Sequence, residues 1–382
     1  MTFYNNDDES TYHEPIWIRG IHDSAGILNT AIETGHVVDN CELTVTDDYS
    51  ENPQDSAYFI DRVCQLNGLR SLRFLPDRFH KIYNFPVHLL TTALQEATGL
   101  QMLSLCSVEL VGTDEEFERF FYWLCNHQSV QLVRLIRCLI PDQPENLLDR
   151  MALNLCNMTS LREIELSSAE EWSLSAESLQ QLYLSDTVEK LRLENFSLSQ
   201  NHVLALFEEL ERNNSNLKGL FLSSCQMTID GLKGTASMLA SNNTLEQFSL
   251  CLTNCQAQPY DDACFEEIAE ALHHNTTLRN LVFSSASQDW PKLALTSQHA
   301  FADMLRSHNF TLEAMSLFGR TDLSQDVDFY IALNRMGRKH LIRNGASKEQ
   351  WFHAIVQAQV DINCLYFFLS TRPEILEPSD HD

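Results

Sequence analysis

Residues 273–285, HHNTTLRNLVFSS, can be read in three ways. The adjacent His273 and His274 suggest a metal site, and Asn275-Thr276-Thr277 is an N-glycosylation sequon. The hexad LRNLVF, from Leu278 to Phe283, spaces its apolar residues as a half-buried strand does. The rest of the chain decides among them, because this hexad recurs.

The pattern apolar-x-x-apolar-x-apolar appears as VDNCEL from Val38, LRSLRF from Leu69, LQMLSL from Leu100, VQLVRL from Val130 and LREIEL from Leu161. It continues as VEKLRL from Val188, LKGLFL from Leu217, LEQFSL from Leu245, LRNLVF from Leu278 and LEAMSL from Leu312. These ten beats are 27 to 34 residues apart. Such a period signals a solenoid in which each turn carries one strand and one helix. Between beats, DEEFERFFYWLCN, QNHVLALFEELERN and DACFEEIAEALHHN place apolar residues at helical spacing, with Thr113, Ser199 and Asp262 as N-caps.

In each hexad the first, fourth and sixth side chains point to the core. Alternation then sends the third, fifth and seventh to the opposite, open face. The segments before the strands, such as CNMTSL, NNSNL, SNNTL, HNTTL and HNFTL, repeat because the turn repeats. Small polar side chains there satisfy backbone groups that the turn leaves unpaired. The sequons at Asn157, Asn213, Asn242, Asn275 and Asn309 are thus expected to be architectural rather than glycosylated.

Period, helix and hexad together resemble the ribonuclease-inhibitor-like leucine-rich repeat proteins. That resemblance implies an α/β horseshoe of about ten strand-helix turns, with a concave parallel sheet and convex helices. Three residues past the sixth position of the hexads from Val130 to Leu278 stand Cys138, Ala169, Phe196, Cys225, Thr253 and Ala286, where many repeat families place an asparagine. The organisation expected is an N-terminal tail and cap over 1–34, the solenoid over 35–322, a helical C-terminal cap over 323–376 and an acidic tail over 377–382. IWIRGIHDSAGILNTAIETGH reads as an N-terminal half-turn or cap. In the C-terminal segment, Ser347 with Gln350 forms a capping-box pattern and Asp361 can cap a helix containing CLYFFL. FYIALNRMGRKHL and LYFFL also resemble the tail of leucine-rich repeat proteins of stramenopile algae.

Composition narrows the function classes. The 382 residues are 44% hydrophobic, enough for a sizeable core, with 53 acidic against 26 basic residues and a net charge of −27. That field disfavours nucleic acid and anionic membrane and favours a basic protein partner. MTFYNNDDESTYHEP has no features of a secretory signal, and no apolar run is long enough for a membrane helix. The eleven scattered cysteines are expected to be reduced, mostly buried thiols of a cytoplasmic or nuclear monomer.

Chemistry has few footholds. Consecutive helical residues diverge by about 100 degrees, so His273 and His274 are read as helix-end cations and not as ligands of one metal. Cys251 and Cys255 lack a second paired motif, and no nucleophile elbow or phosphate loop occurs. No metal, cofactor or catalytic residue is assigned, and the chain is read as non-enzymatic. The basic group Arg335, Arg338, Lys339, His340 and Arg343 is assigned to charge balance within the cap helices, with an anionic partner or phosphate as the alternative.

The open-face positions offer an aliphatic and thioether patch beside a charged band: Met102, Leu132, Arg134, Ile136, Glu163, Glu165 and Arg192. Farther along, Phe221, Val282 and Phe318 stand among small polar residues. These ten are the candidate partner-binding residues of a protein-interaction scaffold or regulator. Small-GTPase regulation, by fold analogy, and ubiquitin-ligase substrate adaptation are the alternatives.

Overall fold

The computed structural model describes residues 16–19, 33, 40–45, 61–63, 65, 68–76, 82–140, 147–196, 198–225, 229–252, 262–285, 294–317, 325–342, 346–358 and 361–371. The chain divides into two compact units, Met1–Glu171 and Trp172–Asp382.

The first unit holds β1 (Ile16–Arg19), β2 (Asn40–Val45), β3 (Ser71–Pro76), β4 (Tyr83–Pro86), α1 (Val87–Glu96), β5 (Met102–Cys106) and β6 (Val108–Val111). It continues with α2 (Asp114–Asn126), β7 (Leu132–Cys138), α3 (Leu147–Cys156) and β8 (Glu163–Trp172), whose last residue opens the second unit. Its strands run parallel in the order β1-β2-β3-β5-β7-β8, while β4 and β6 form a separate parallel ribbon.

The second unit begins with α4 (Ala176–Leu184), β9 (Lys190–Phe196), α5 (Gln200–Glu211), β10 (Gly219–Cys225) and α6 (Ile229–Ser241). Next come β11 (Gln247–Leu252), α7 (Asp262–His274), β12 (Asn280–Ser285), α8 (Leu295–Ser307) and β13 (Ala314–Leu317). Helices α9 (Gln325–Arg335), α10 (Arg338–Ile342), α11 (Lys348–Ala358) and α12 (Ile362–Thr371) close it. Its strands are also parallel, in the order β9-β10-β11-β12-β13. The alternation of parallel strand and helix is α/β and solenoidal, of the leucine-rich-repeat type.

Hexads align beat on beat. Third positions pair as Ser71, Met102, Leu132 and Glu163 in the first unit, and as Lys190, Gly219, Gln247, Asn280 and Ala314 in the second. Core positions are buried: Leu100, Leu103 and Leu105 in one beat, Leu278, Leu281 and Phe283 in another. Each such side chain contributes roughly 1.5–3 kcal/mol of apolar burial. Phe248 of β11 and Phe283 of the adjacent β12 also meet edge to face at 6.1 Å. Two elements fall outside the hexad pattern: β1, which pairs Ile16 with Cys41, and the β4–β6 ribbon.

The helix starts follow the capping signals. Thr113 and Glu116 form a reciprocal capping box, as do Ser347 and Gln350. Ser199 accepts from the His202 amide, and Asp361 accepts from the amides of Asn363 and Cys364. Asp262 is the first residue of α7.

The turns that lead into the strands use two chemistries. In the second unit Asn242, Asn275 and Asn309 are 3%, 3% and 1% exposed, so their carboxamides must be fully engaged. Asn275 Nδ2 donates to the carbonyls of Leu239 (2.8 Å) and Asn242 (3.1 Å) in the preceding turn. Its Oδ1 accepts from the amides of Thr277 (3.1 Å) and Leu278 (2.8 Å). Asn309 repeats this set one turn on, and Asn242 makes the same turn contacts with Thr244 and Leu245. In the first unit the corresponding positions are Ala97, His127 and Met158. There His127 Nε2 meets the Ala97 carbonyl at 3.1 Å, while Ser160 Oγ reaches the carbonyls of Val130 (2.7 Å) and His127 (3.2 Å).

The helical C-terminal segment has its own apolar cluster around Leu333, Trp351, Cys364 and Phe368. It is fastened to the last repeat by polar contacts. Asn334 Nδ2 donates to Asn309 and Leu312 carbonyls, both at 3.0 Å, and Arg335 Nη2 donates to the Glu313 carbonyl at 3.0 Å. Arg338 is only 4% exposed and gives its guanidinium to the carbonyls of Leu305 and Arg306, at the end of α8. Phe310, Tyr330 and Phe367 rings surround it, and burial pulls its pKa down to about 10. Within the basic group, Arg338 is therefore a helix-end cap rather than a partner for a carboxylate.

Candidate protein-binding face

On the helix-free face of the first unit, Met102, Leu132, Arg134, Ile136, Glu163 and Glu165 are all half-buried. Met102 accepts a hydrogen bond from Ser71 Oγ at 3.5 Å. Arg134 and Glu165 are register neighbours, and Arg134 Nε donates to Glu165 Oε2. A lateral ion pair of this kind holds two adjacent strands together. It leaves Arg134 less available to a partner than an isolated arginine would be.

Seventh positions do not all face outward. Cys106 and Ser167 are buried, at 5% and 3% exposure. Just beyond the seventh positions of β5 and β7, Ser107 and Arg137 take positive φ of 52° and 53°. A left-handed residue there breaks the period-two alternation. Among fifth positions Ser104 is also buried, between its register neighbours Arg73 and Arg134.

On the same face of the second unit, Arg192 is exposed and Phe221 half-buried. They are register neighbours, and the Arg192 guanidinium lies 5.2 Å from the Phe221 ring centre. A Cβ at Gly219 would come within 3.2 Å of both Phe221 Cε2 and Lys190 Cγ. The missing side chain at 219 therefore makes the room in which the aromatic ring rests between two basic neighbours. Val282 follows, half-buried, in register with Ser249 and Ser316. Phe318 lies outside the described residues.

The competing chemistries of the opening stretch are resolved by geometry. His273 stacks on His308 of the next turn, with centroids 4.3 Å apart and planes at 16°, and its Nδ1 is 3.3 Å from Glu270. Burial lowers its pKa despite Glu270. Among the described residues no three His, Cys, Asp or Glu side chains are grouped to hold a metal. Asn213 bridges the next turn through the Ser241 carbonyl and the Asn243 amide, whereas Asn157 is exposed. The sequon explanation thus holds for Asn213, Asn242, Asn275 and Asn309, and Asn157 departs from it.

Cys41, Cys106, Cys138, Cys264 and Cys364 are buried, and Cys125, Cys156 and Cys251 are half-buried. Burial pushes Cys138 up to about 12, consistent with a packing thiol rather than a nucleophile. Cys255 lies outside the described residues. No described helix is long and apolar enough to cross a membrane.

No protein family model and no curated protein matches the sequence. Among solved structures the chain is similar to that of the yeast Rad7 and Elc1 complex, with 14% identity and a TM-score of 0.50. That likeness covers 88% of this chain and 79% of the other. A weaker likeness is to leiomodin-1 actin-binding site 2, with 18% identity and a TM-score of 0.33 over 43% of this chain and 89% of that one. At this identity the Rad7 likeness concerns the fold.

Proposed function

We propose that the protein is a non-enzymatic interaction scaffold, a solenoid of the ribonuclease-inhibitor-like type that holds a protein partner on its helix-free sheet face. The observation that carries this reading is the Phe221 seat. An accessible aromatic ring, fixed by Gly219 and flanked by Arg192 and Lys190, has the composition and rigidity of an interface anchor. Helices of nine to thirteen residues in the solenoid turns support the subtype, and the Rad7 structure, a complex with a second protein, is compatible with the role.

Because Arg134 is engaged by Glu165, the anchor pair to disrupt is Arg192 with Phe221. Quantitative affinity capture with the wild-type chain and the Arg192→Ala, Phe221→Ala double variant tests the assignment. At least one captured protein should drop about tenfold or more with the variant, at an unchanged thermal midpoint. Equal recovery of every captured protein would remove this face from consideration.

A further inference from the structure

The second unit contains a cleft of about 680 Å³ that the sheet face does not include. Thr277, Arg279, Thr311 and Glu313, around the starts of β12 and β13, form one wall. Gln350, His353 and Gln357, along α11, form the other. Its end is closed by Asn334, Arg335 and Lys339.

The cleft follows from how the repeat ladder stops. A further turn would place an asparagine and then a strand beyond β13. Asn334 instead takes the Asn309 and Leu312 carbonyls from within a helix, and Arg335 takes the Glu313 carbonyl with its side chain. With no strand after it among the described residues, the buried Asn334 Oδ1 accepts no hydrogen bond, unlike Asn275 and Asn309. Gly337 then adopts φ of 91°, which a β-carbon would strain, and turns the chain away toward α10 and α11. The gap between α11 and the strand starts is the space that a regular next turn would fill.

Charge separates this cleft from its surroundings. The chain carries −27 overall, yet from Phe329 to Lys348 it has Arg335, Arg338, Lys339, Arg343 and Lys348 and no acidic residue. Arg335 and Lys339 from that segment line the cleft, with Arg279 and His353; the acids there are Glu246 and Glu313. Glu313 is 3.9 Å from Arg279, so each already balances part of the other's charge, and Arg335 and Lys339 supply the excess. A nucleic acid strand that runs past the cleft meets the acidic remainder of the molecule, whereas a short acidic segment stays beside the cleft's own cations. Gln350, His353 and Gln357 spread over two helical turns, about 10 Å, the span of about three residues of extended chain. Polar side chains at that spread suit the donors and acceptors of a peptide backbone.

We propose that this cleft binds a short, extended, acidic segment of a partner protein. Its carboxylates meet Lys339, Arg335 and Arg279 while its backbone runs along α11. The site is separate from the sheet face and does not depend on that face's assignment.

An array of acetylated and amidated hexapeptides bearing Asp or Glu at two positions, with a matched Asn and Gln array, provides the probe. By fluorescence polarisation the best acidic members should bind the full chain at least about tenfold tighter than their amide counterparts, and high salt should weaken them. An Arg279→Gln, Lys339→Gln variant should lose about tenfold in affinity, and the Arg192→Ala, Phe221→Ala variant should lose none. If the first variant melts early, His353→Ala with Gln357→Ala, both exposed on α11, replaces it and should weaken the same peptides. No preference for acidic peptides, or indifference to both cleft variants, overturns the proposal. Equally tight binding of single-stranded oligonucleotide, or full displacement by inorganic phosphate, overturns the peptide assignment.

Discussion

The turns that lead into the strands solve one problem differently in the two units. At Asn275 and Asn309 a buried carboxamide does everything: two donors reach back to the preceding turn, and one oxygen holds the two amides that start the strand. In the first unit Ala97, His127 and Met158 occupy the same place, and an imidazole, Ser129 and Ser160 share the work. The difference teaches that the turn fixes a set of backbone groups needing partners, and not a residue type. Where one residue satisfies the whole set, the sequence repeats visibly; where several divide it, the repeat survives only in its apolar positions.

Three changes probe that contrast. Asn275→Ala, the largest, orphans two buried carbonyls, the buried amide of Leu278 and the half-buried amide of Thr277, and should cost about 3 kcal/mol or more in urea unfolding. A loss below about 1 kcal/mol would mean that the ladder is ornamental. Ser160→Ala removes one shared hydroxyl and should cost about 1 kcal/mol. Its cost relative to Asn275→Ala measures how far the divided solution is weaker per residue.

The smallest effect is one of pH. Burial lowers the pKa of His127 below its ordinary value, against the opposing hydrogen bond to Ala97. The unfolded chain then takes up its proton first as pH falls. The contribution of neutral His127 is complete above about pH 6.5 and declines below it. His127→Asn, which installs the second unit's side chain in the first, should flatten the stability profile of the chain between neutral and mildly acidic pH. An unchanged profile would show that the imidazole is not the titrating rung.

The sequence displays the parts of this molecule that depend on local spacing. Hexad cores, capping boxes at Thr113 and Ser347, and turn asparagines all arise from residues within a few positions of one another. Arg134 and Glu165 are 31 residues apart and become neighbours only through strand register, so each reads as an open-face charge until the pairing is known. Cys106 reads as exposed because strict alternation places the seventh position on the open face, yet it is buried at the end of β5, beside the left-handed Ser107. The cleft is invisible for a further reason. Its walls come from four turns and a helix, and their spacing depends on one glycine conformation at position 337.

The end of the asparagine ladder also bears on how such a chain can lengthen. Asn275 and Asn309 present the same contacts backward and forward, so a copy of one module spliced between them would find matching partners on both sides. Asn334 and Arg335 match only backward, and a module joined after them meets a helix where it needs a strand. Growth by duplication is therefore confined to the interior of the array, and the terminal helices would be carried outward unchanged as the array expands.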